Sequence, residues 1–260
     1  MHTTTLRPLG AEVTGVAVAE LTDDDIAGFR ALLADNGVVV LRDQHVGDEE
    51  FVRFLRRFGE PAFTAGEIPV DGFPDLNLIS NVGRAEPPRS TFHVDSSYLS
   101  TPPAYTALRA VQIPARGGET VFTNQYRAYE TLPADLVERL RGRTIRHVVT
   151  GIDPDLLGAD DETEAEHPVF RQHPLSGRTA LYLSTPKRCA AISGLADDEA
   201  AALVEQLYAH STTEENSHRH SWAPGDVVMW DNGCVLHRGD HSDVVGDRVM
   251  HRGMIAGYGR

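Results

Sequence analysis

His93 and Asp95, in the stretch Phe92-His93-Val94-Asp95-Ser96-Ser97-Tyr98, stand two positions apart. On an extended strand both side chains leave the same face, so an imidazole and a carboxylate converge on one point. That is two-thirds of a facial metal site, and the last third must come from elsewhere in the chain. His237 is the candidate. Asp226–Trp230 reads as a buried strand, and Asp231-Asn232-Gly233 as a turn that delivers His237 to the mouth of a sheet. Two histidines and one carboxylate on one face leave the other positions of a metal open, as in non-haem Fe(II) oxygenases. Arg248 and Arg252 lie on the next strand-like run, with Val249, Met250, Met254 and Ile255 around them. An even separation puts both guanidinium groups on one face. Buried, they need carboxylates or other anions. Either acids of the chain or an anionic ligand could meet that need.

The elements that must position these residues follow from pattern. Leu9–Val16 alternates between glycines as a short strand and turn. Thr22 caps a helix that opens with Asp23, Asp24 and Asp25, carries Ile26, Phe29, Leu32 and Leu33 on one face, and ends at Asn36-Gly37. Val38–Leu41 is a buried strand, and a second helix aligns Phe51, Phe54, Leu55 and Phe58 before Gly59. Residues 60 to 91 read as loops able to close over a pocket, with one strand at Leu76–Ile79. Tyr105–Val111 and Gly118–Phe122 are strands, Arg127–Arg141 a surface helix, and the acidic run Asp153–Glu166 a solvated loop. His173–Leu183 is a turn feeding a strand. Asp197 starts a helix, and His218–Trp222, Asp226–Trp230 and Arg248–Ala256 close the chain as strands.

Short strands after an early pair of helices predict an α+β fold on a β-sandwich or jelly roll, although periodicity alone also admits a mixed α/β sheet. With no internal repeat or linker, residues 1–260 read as one domain. The composition is that of a globular protein, with 41% hydrophobic and 24% charged residues. A formal net charge of -14 argues against nucleic acid or an anionic membrane as partner. Cys189 and Cys234, the only cysteines, are too few for a disulfide framework and suit a reducing cytoplasm. No apolar run approaches a membrane span, and Met1–Leu9 lacks the features of a signal peptide. A homo-oligomer is compatible with general frequencies and is not legible in the pattern.

Read end to end, the chain resembles the TauD/TfdA group of Fe(II)/2-oxoglutarate oxygenases. The likeness runs from Leu9–Gly15 through Val39–Gln44, Phe58-Gly59, Phe92–Tyr98 and Pro102-Pro103 to Gly117-Gly118-Glu119-Thr120 and His173-Pro174. It ends with Trp230-Asp231-Asn232, His237, Arg248 and His251-Arg252. The resemblance implies a double-stranded β-helix, a cupin-like jelly roll with flanking helices. It implies Fe(II) held by His93, Asp95 and His237, the distal carboxylate of 2-oxoglutarate held by Thr120 and Arg248, and O2 as co-substrate. Arg252 matches the position that meets the substrate's anionic group in the taurine enzyme, and Trp230, Asp231 and Asn232 would support His237 from behind. The reaction implied is oxidative decarboxylation of 2-oxoglutarate to succinate and CO2 coupled to C–H oxidation, with hydroxylation the first expectation. Asp95 favours oxygen transfer, since related halogenases lack a ligating residue there.

The taurine enzyme has an asparagine where this chain has Arg89, which argues against taurine itself. Arg89 and Tyr98 are candidates for contact with a small polar substrate, an anionic one being suggested by the two arginines beside the metal site. His241 could reach the pocket or stay in an exposed loop, and His218 and His220 are read as strand histidines. Cys234, near His237, is a thiol that could be oxidised in the resting enzyme. Lys187 and Arg188 stand on a segment that could face the pocket. Desaturation or cyclisation of a natural-product intermediate is the alternative on the same site. A zinc hydrolase with the same triad would have no use for Arg248 or Thr120, and a non-catalytic metal-binding sensor would not turn over 2-oxoglutarate.

Overall fold

Every residue of Val38–Leu41 is apolar and buried, so each face of that strand must meet a core. The structure, a computed structural model, describes residues 1–63, 66–84 and 90–258. In chain order its strands begin with β1 (His2–Thr5), β2 (Ala11–Thr14), β3 (Val38–Leu41), β4 (Pro61–Ala62), β5 (Pro69–Val70) and β6 (Phe73–Ser80). There follow β7 (Pro103–Gln112), β8 (Thr120–Asn124), β9 (Thr144–Val148), β10 (Glu164–Pro168), β11 (Phe170–Gln172) and β12 (Thr179–Leu181). The last are β13 (Cys189–Ile192), β14 (Ser217–His220), β15 (Val227–Asp231), β16 (Val235–Gly239) and β17 (Val249–Ala256). One sheet runs β1-β2-β3-β15-β7-β17-β6-β5, with β4 added to β17, and a second runs β14-β8-β16.

Period two decides which core each residue joins. Val38 and Val40 of β3 and Val228 and Trp230 of β15 share a cluster with Phe122 of β8 and Val235 of β16, which fills the space between the sheets. Their neighbours Val39, Leu41, Val227 and Met229 face the other way, under α1 (Asp23–Asn36) and α2 (Asp48–Arg56). Thr22 and Asp25 form the reciprocal capping box of α1, and Gly37 ends the helix at a φ of 77°. A Cβ on Gly37 would sit 2.7 Å from Val235 Cγ2, so the turn into β3 needs glycine for space as well as for φ. Phe51, Phe54 and Leu55 of α2 are buried as expected, with Phe58 just past its end.

Several expectations need correction. Arg127–Arg141 is two helices, α3 (Gln125–Glu130) and α4 (Ala134–Leu140), because Pro133 has no N–H for the helix ladder and stands at the N-cap of the second. The surface position holds, with Asp135, Glu138 and Arg139 exposed while Leu132, Leu136 and Leu140 are buried in a cluster with Leu203, Val204 and Leu207 of α5 (Asp197–Ser211). The acidic run is partly built in. β10 pairs with β9, and its Glu164 and Glu166 alternate outward while His167 turns into the protein. Residues 60–91 hold the two-residue strands β4 and β5 besides β6. His93 and Asp95 lie on no continuous strand, for His93 makes an isolated bridge and a turn follows Asp95. Among the described residues no helix is long and apolar enough to cross a membrane.

Candidate metal centre and its two pockets

The first histidine is fixed through its backbone to the second. His93 lies directly opposite His237 of β16, and the two exchange both backbone hydrogen bonds at 3.0 Å each. Their rings come within 4.3 Å between centroids. Two residues later Asp95 turns its carboxylate to the same point, 3.5 Å from His93 Nε2 and 3.7 Å from His237 Nε2. The tight turn is carried by Ser96 at a φ of 45°, an unusual conformation for a residue other than glycine. His93 Nδ1 lies 2.9 Å from the Thr91 carbonyl, which makes it the protonated nitrogen and leaves Nε2 with a lone pair.

The donor set suits Fe(II). Burial pushes His237 down to about 3, so its imidazole is neutral at physiological pH. Burial alone would raise the Asp95 carboxyl, but His237, His93 and Thr106 outweigh it and hold the group below its usual range. Two neutral imidazoles and a carboxylate are the protonation states a metal requires. The three donor atoms lie within 4.8 Å of one another.

A polar chain holds Asp95 from behind. Thr106 Oγ1 donates to Asp95 Oδ2 at 2.7 Å, Asn232 Nδ2 donates to Thr106 Oγ1 at 2.9 Å, and Trp230 Nε1 donates to Asn232 Oδ1 at 3.2 Å. Trp230 also lies against the His237 ring, 4.5 Å between centroids. The Trp230-Asn232 part of the motif therefore orients the triad. Asp231 does something else: it accepts from Tyr258 Oη at 2.5 Å and from the Gly233 N–H at 2.8 Å, and pairs with His173 at 2.9 Å. Those contacts, with two backbone N–H groups on His173 Nδ1, make a buried structural knot at the back of β15. Replacing Thr106 with valine keeps the shape and removes the hydroxyl. Thr106→Val should weaken Fe(II) binding about 10- to 100-fold with the fold intact, read by metal titration beside circular dichroism.

Two cavities meet at the triad, and His93 and Arg252 line both. The smaller, about 150 Å³, is walled by Thr120, Trp230, His237, His241 and Arg248 among others. Arg248 is 3% exposed, and burial pushes its guanidinium down to about 10. Its Nε donates to the Gly118 carbonyl at 2.8 Å and Nη2 reaches Thr120 Oγ1 at 3.4 Å. Among the described residues no carboxylate pairs with it. Gly118 sits at a φ of 78°, and a Cβ there would fall 2.9 Å from Arg248 Cδ, which is the physical sense of Gly117-Gly118-Glu119-Thr120. The larger cavity, about 430 Å³, is lined by Glu67, Ser96, Tyr98, Ile152, Leu156 and Arg188 beside His93, Asp95 and Arg252.

Most of the residues singled out from sequence fall on these walls. Tyr98 is a wall of the larger cavity, and burial raises its phenol. His241 is half-buried in the smaller one rather than in an exposed loop, with Nδ1 unpartnered. Arg188 lines the larger cavity, whereas Lys187 is exposed and lines neither. Arg89 lies outside the described residues. Cys234 is 1% exposed, packs in the inter-sheet core, and burial holds its thiol protonated well above the usual range, which removes the case for its oxidation. His220 is a strand histidine as expected, 3.1 Å from buried Asp226.

Glu67 is the residue that pattern reading missed. It reaches Arg252, which also lies 3.4 Å from Asp95 Oδ1. Nothing in the Pro- and Gly-rich stretch around Glu67 signals a partner so distant in sequence. His147 and His167 were missed as well, and they brace the turn after Asp95. His147 Nδ1 lies 3.0 Å from Ser97 Oγ, and His167 Nε2 lies 2.9 Å from the Ser97 carbonyl. Burial, with His167 and Arg188 nearby, pushes His147 down to about 3. An unfolded histidine titrates near ~6.5. Below that pH the unfolded chain takes up a proton that the folded one refuses. Stability carried by neutral His147 is therefore whole above about pH 6.5 and lost progressively towards about pH 3. Urea denaturation of the metal-free protein should show about 2 kcal/mol less stability near pH 5 than near pH 7 from this group. His147→Gln should flatten that slope.

The model of the family described as taurine catabolism dioxygenase TauD, TfdA family matches residues 2–254. The chain belongs to that family. It is 32% identical to the alpha-ketoglutarate-dependent 2,4-dichlorophenoxyacetate dioxygenase of Cupriavidus pinatubonensis, over 95% of this chain and 94% of the relative. It is 31% identical to the alpha-ketoglutarate-dependent sulfate ester dioxygenase of Pseudomonas putida, over 96% and 87%. A solved taurine dioxygenase from Burkholderia xenovorans superposes with a TM-score of 0.85 at 34% identity, covering 98% of this chain and 90% of that one. The cupin-like jelly roll is thus the fold of this TauD/TfdA protein. Its cofactors are Fe(II) and 2-oxoglutarate (alpha-ketoglutarate), with O2 as co-substrate. It is a dioxygenase acting on a small molecule.

Proposed function

We propose that His93, Asp95 and His237 hold the Fe(II), and that Arg248 with Thr120 holds the distal carboxylate of 2-oxoglutarate in the smaller cavity. The larger cavity then receives a small polar, anionic substrate whose C–H bond is oxidised, with hydroxylation as the outcome. One observation carries this reading. A buried guanidinium that pairs with no carboxylate among the described residues stands in a small cavity that opens onto two imidazoles and a carboxylate. Such a charge is stable only with an anion from outside the chain. A dicarboxylate that reaches from Arg248 to the metal satisfies both ends. A zinc hydrolase would leave Arg248 without purpose.

Bound Fe(II), with 2-oxoglutarate and O2, supplies the oxidising chemistry, giving succinate and CO2 as the substrate C–H bond is oxidised. The chain's own residues do the positioning. Arg248 and Thr120 fix one end of 2-oxoglutarate by charge-assisted hydrogen bonds. Thr91, through the His93 ring, and Thr106, through Asp95, fix the ligands' orientation. Trp230, Phe122 and Leu108 keep water from the inner side of the site. Tyr98, Ile152 and Leu156 give the larger cavity an apolar wall on which a substrate can lie.

The anionic substrate class is supported by the basic side chains of the larger cavity and by the compounds named for the relatives, an aryloxyacetate and a sulfate ester. The two buried, unpaired thiols fit a reducing compartment, and we place the enzyme in the cytoplasm as one domain spanning residues 1–260. The test is succinate release from Fe(II)-loaded enzyme with 2-oxoglutarate and a panel of small carboxylates, sulfonates, sulfate esters and phosphonates. Stimulated succinate release with an oxidised product supports the proposal. Turnover with zinc and none with iron would falsify it.

A further inference from the structure

The larger cavity holds a guanidinium that forms no ion pair with any carboxylate of the described residues, although the Asp95 charge acts on it from a distance. Arg188 donates from Nη1 to the Val94 carbonyl at 3.1 Å and from Nη2 to the Thr150 carbonyl at 3.4 Å. Its Nε is buried without a partner, and the group lies 5.5 Å from the centre of the Tyr98 ring. Among the described residues it makes no ion pair. Arg252, on the same cavity wall, is the opposite case, because Glu67 and Asp95 already flank it. An anion arriving at Arg252 would have to displace Glu67 and would then lie against the Asp95 carboxylate. At Arg188 it meets a guanidinium without an ion pair among the described residues and displaces no acid.

We infer that Arg188, not Arg252, anchors the anionic group of the substrate, and that Glu67 withholds Arg252 from that role. The inference rests on the larger cavity being the substrate chamber. It defines the substrate class as a carboxylate, sulfonate or phosphonate on a compact body whose apolar part packs on Tyr98, Ile152 and Leu156.

Calorimetric titration of the anaerobic protein loaded with Fe(II) and 2-oxoglutarate, which fills the Arg248 site, tests this without turnover. The probes are phenoxyacetate, phenylmethanesulfonate and benzylphosphonate, each beside its uncharged amide, sulfonamide or dimethyl ester. The wild type should bind at least one anion and discriminate against its uncharged counterpart. Arg188→Met should lose about 100-fold in affinity for that anion, and Arg188→Lys should restore part of it. Adding Glu67→Gln to Arg188→Met should also recover part of the loss, because Arg252 becomes available. Succinate release with the same compounds should show the loss in KM more than in kcat. A wild type that binds none of the anions, or an Arg188→Met protein that keeps the discrimination, overturns the inference. A double variant no better than Arg188→Met overturns the part assigned to Glu67. The absorption band of the iron–2-oxoglutarate complex separates the two levels. Its absence in wild type defeats the metal-centre reading, whereas its presence beside unchanged discrimination in Arg188→Met defeats only the anchor.

Discussion

Arg248→Ala is expected to raise the 2-oxoglutarate concentration for half-maximal succinate formation by about 100-fold or more. The size follows from what the side chain faces. Its guanidinium is almost fully buried, is spent on one carbonyl and one hydroxyl, and has no acid among the described residues. In the complex it would meet a carboxylate in a charge-assisted, geometrically fitted contact. Alanine removes that contact and leaves a dicarboxylate end buried beside the Thr120 hydroxyl alone. Truncating one partner of a desolvated charge pair typically costs about 2–5 kcal/mol. Arg248→Lys should recover part of the loss, since it restores a point charge without the planar fork. The contacts to Gly118 and Asn81 also order this region, so urea midpoints belong beside the kinetics.

Asp95→Asn should abolish measurable coupled turnover and weaken Fe(II) binding by more than the ~10–100-fold associated with an outer partner. Asp95 is the only anionic member of the triad, and it is held ionised by its neighbours. Asparagine has nearly the same shape, and the hydroxyl of Thr106 can still reach its carbonyl. What changes is the charge offered to the cation and to Arg252, which lies 3.4 Å from Asp95 Oδ1. Metal titration against far-ultraviolet circular dichroism distinguishes lost ligation from lost folding. Retention of wild-type iron affinity would remove Asp95 from the ligand set.

The triad was legible because its chemistry needs particular residue types. His93, Asp95 and His237 were identifiable by kind and by order, even though the pair lies in a bridge and a turn rather than along a strand. Arg248 and Arg252 were legible through their even spacing, which the sheet converts into one shared wall. Their difference was not legible. The acid that pairs with Arg252 comes from Glu67, 185 positions away in a stretch of prolines and glycines. The hydroxyl behind Asp95 is only 11 positions away, but the Asn232 that orients it lies 126 positions from Thr106 and meets it only because β15 pairs with β7.

The fold shows the same division. Capped and amphipathic elements such as α1 emerge at their observed bounds, because Thr22 and Gly37 act on adjacent residues. Composition misled where period mattered: the acids Glu164 and Glu166 mark the outer face of β10 rather than a free loop. Leucine spacing across Pro133 suggested one helix, although the ring of that residue interrupts the ladder. β16, the strand that carries His237, is hidden behind the turn at Asp231–Gly233 and has only five residues to announce itself.

Anaerobic titration of the metal-free protein with Fe(II) and then 2-oxoglutarate, followed by visible absorption, tests the metal centre most directly. With His93, Asp95 and His237 on the iron and Arg248 on the co-substrate, a metal-to-ligand charge-transfer band should grow to one equivalent of 2-oxoglutarate. It should weaken in Arg248→Ala at the same concentration. Iron that binds without any such band, or a band indifferent to Arg248, would show that the two cavities do not meet at the centre assigned to them.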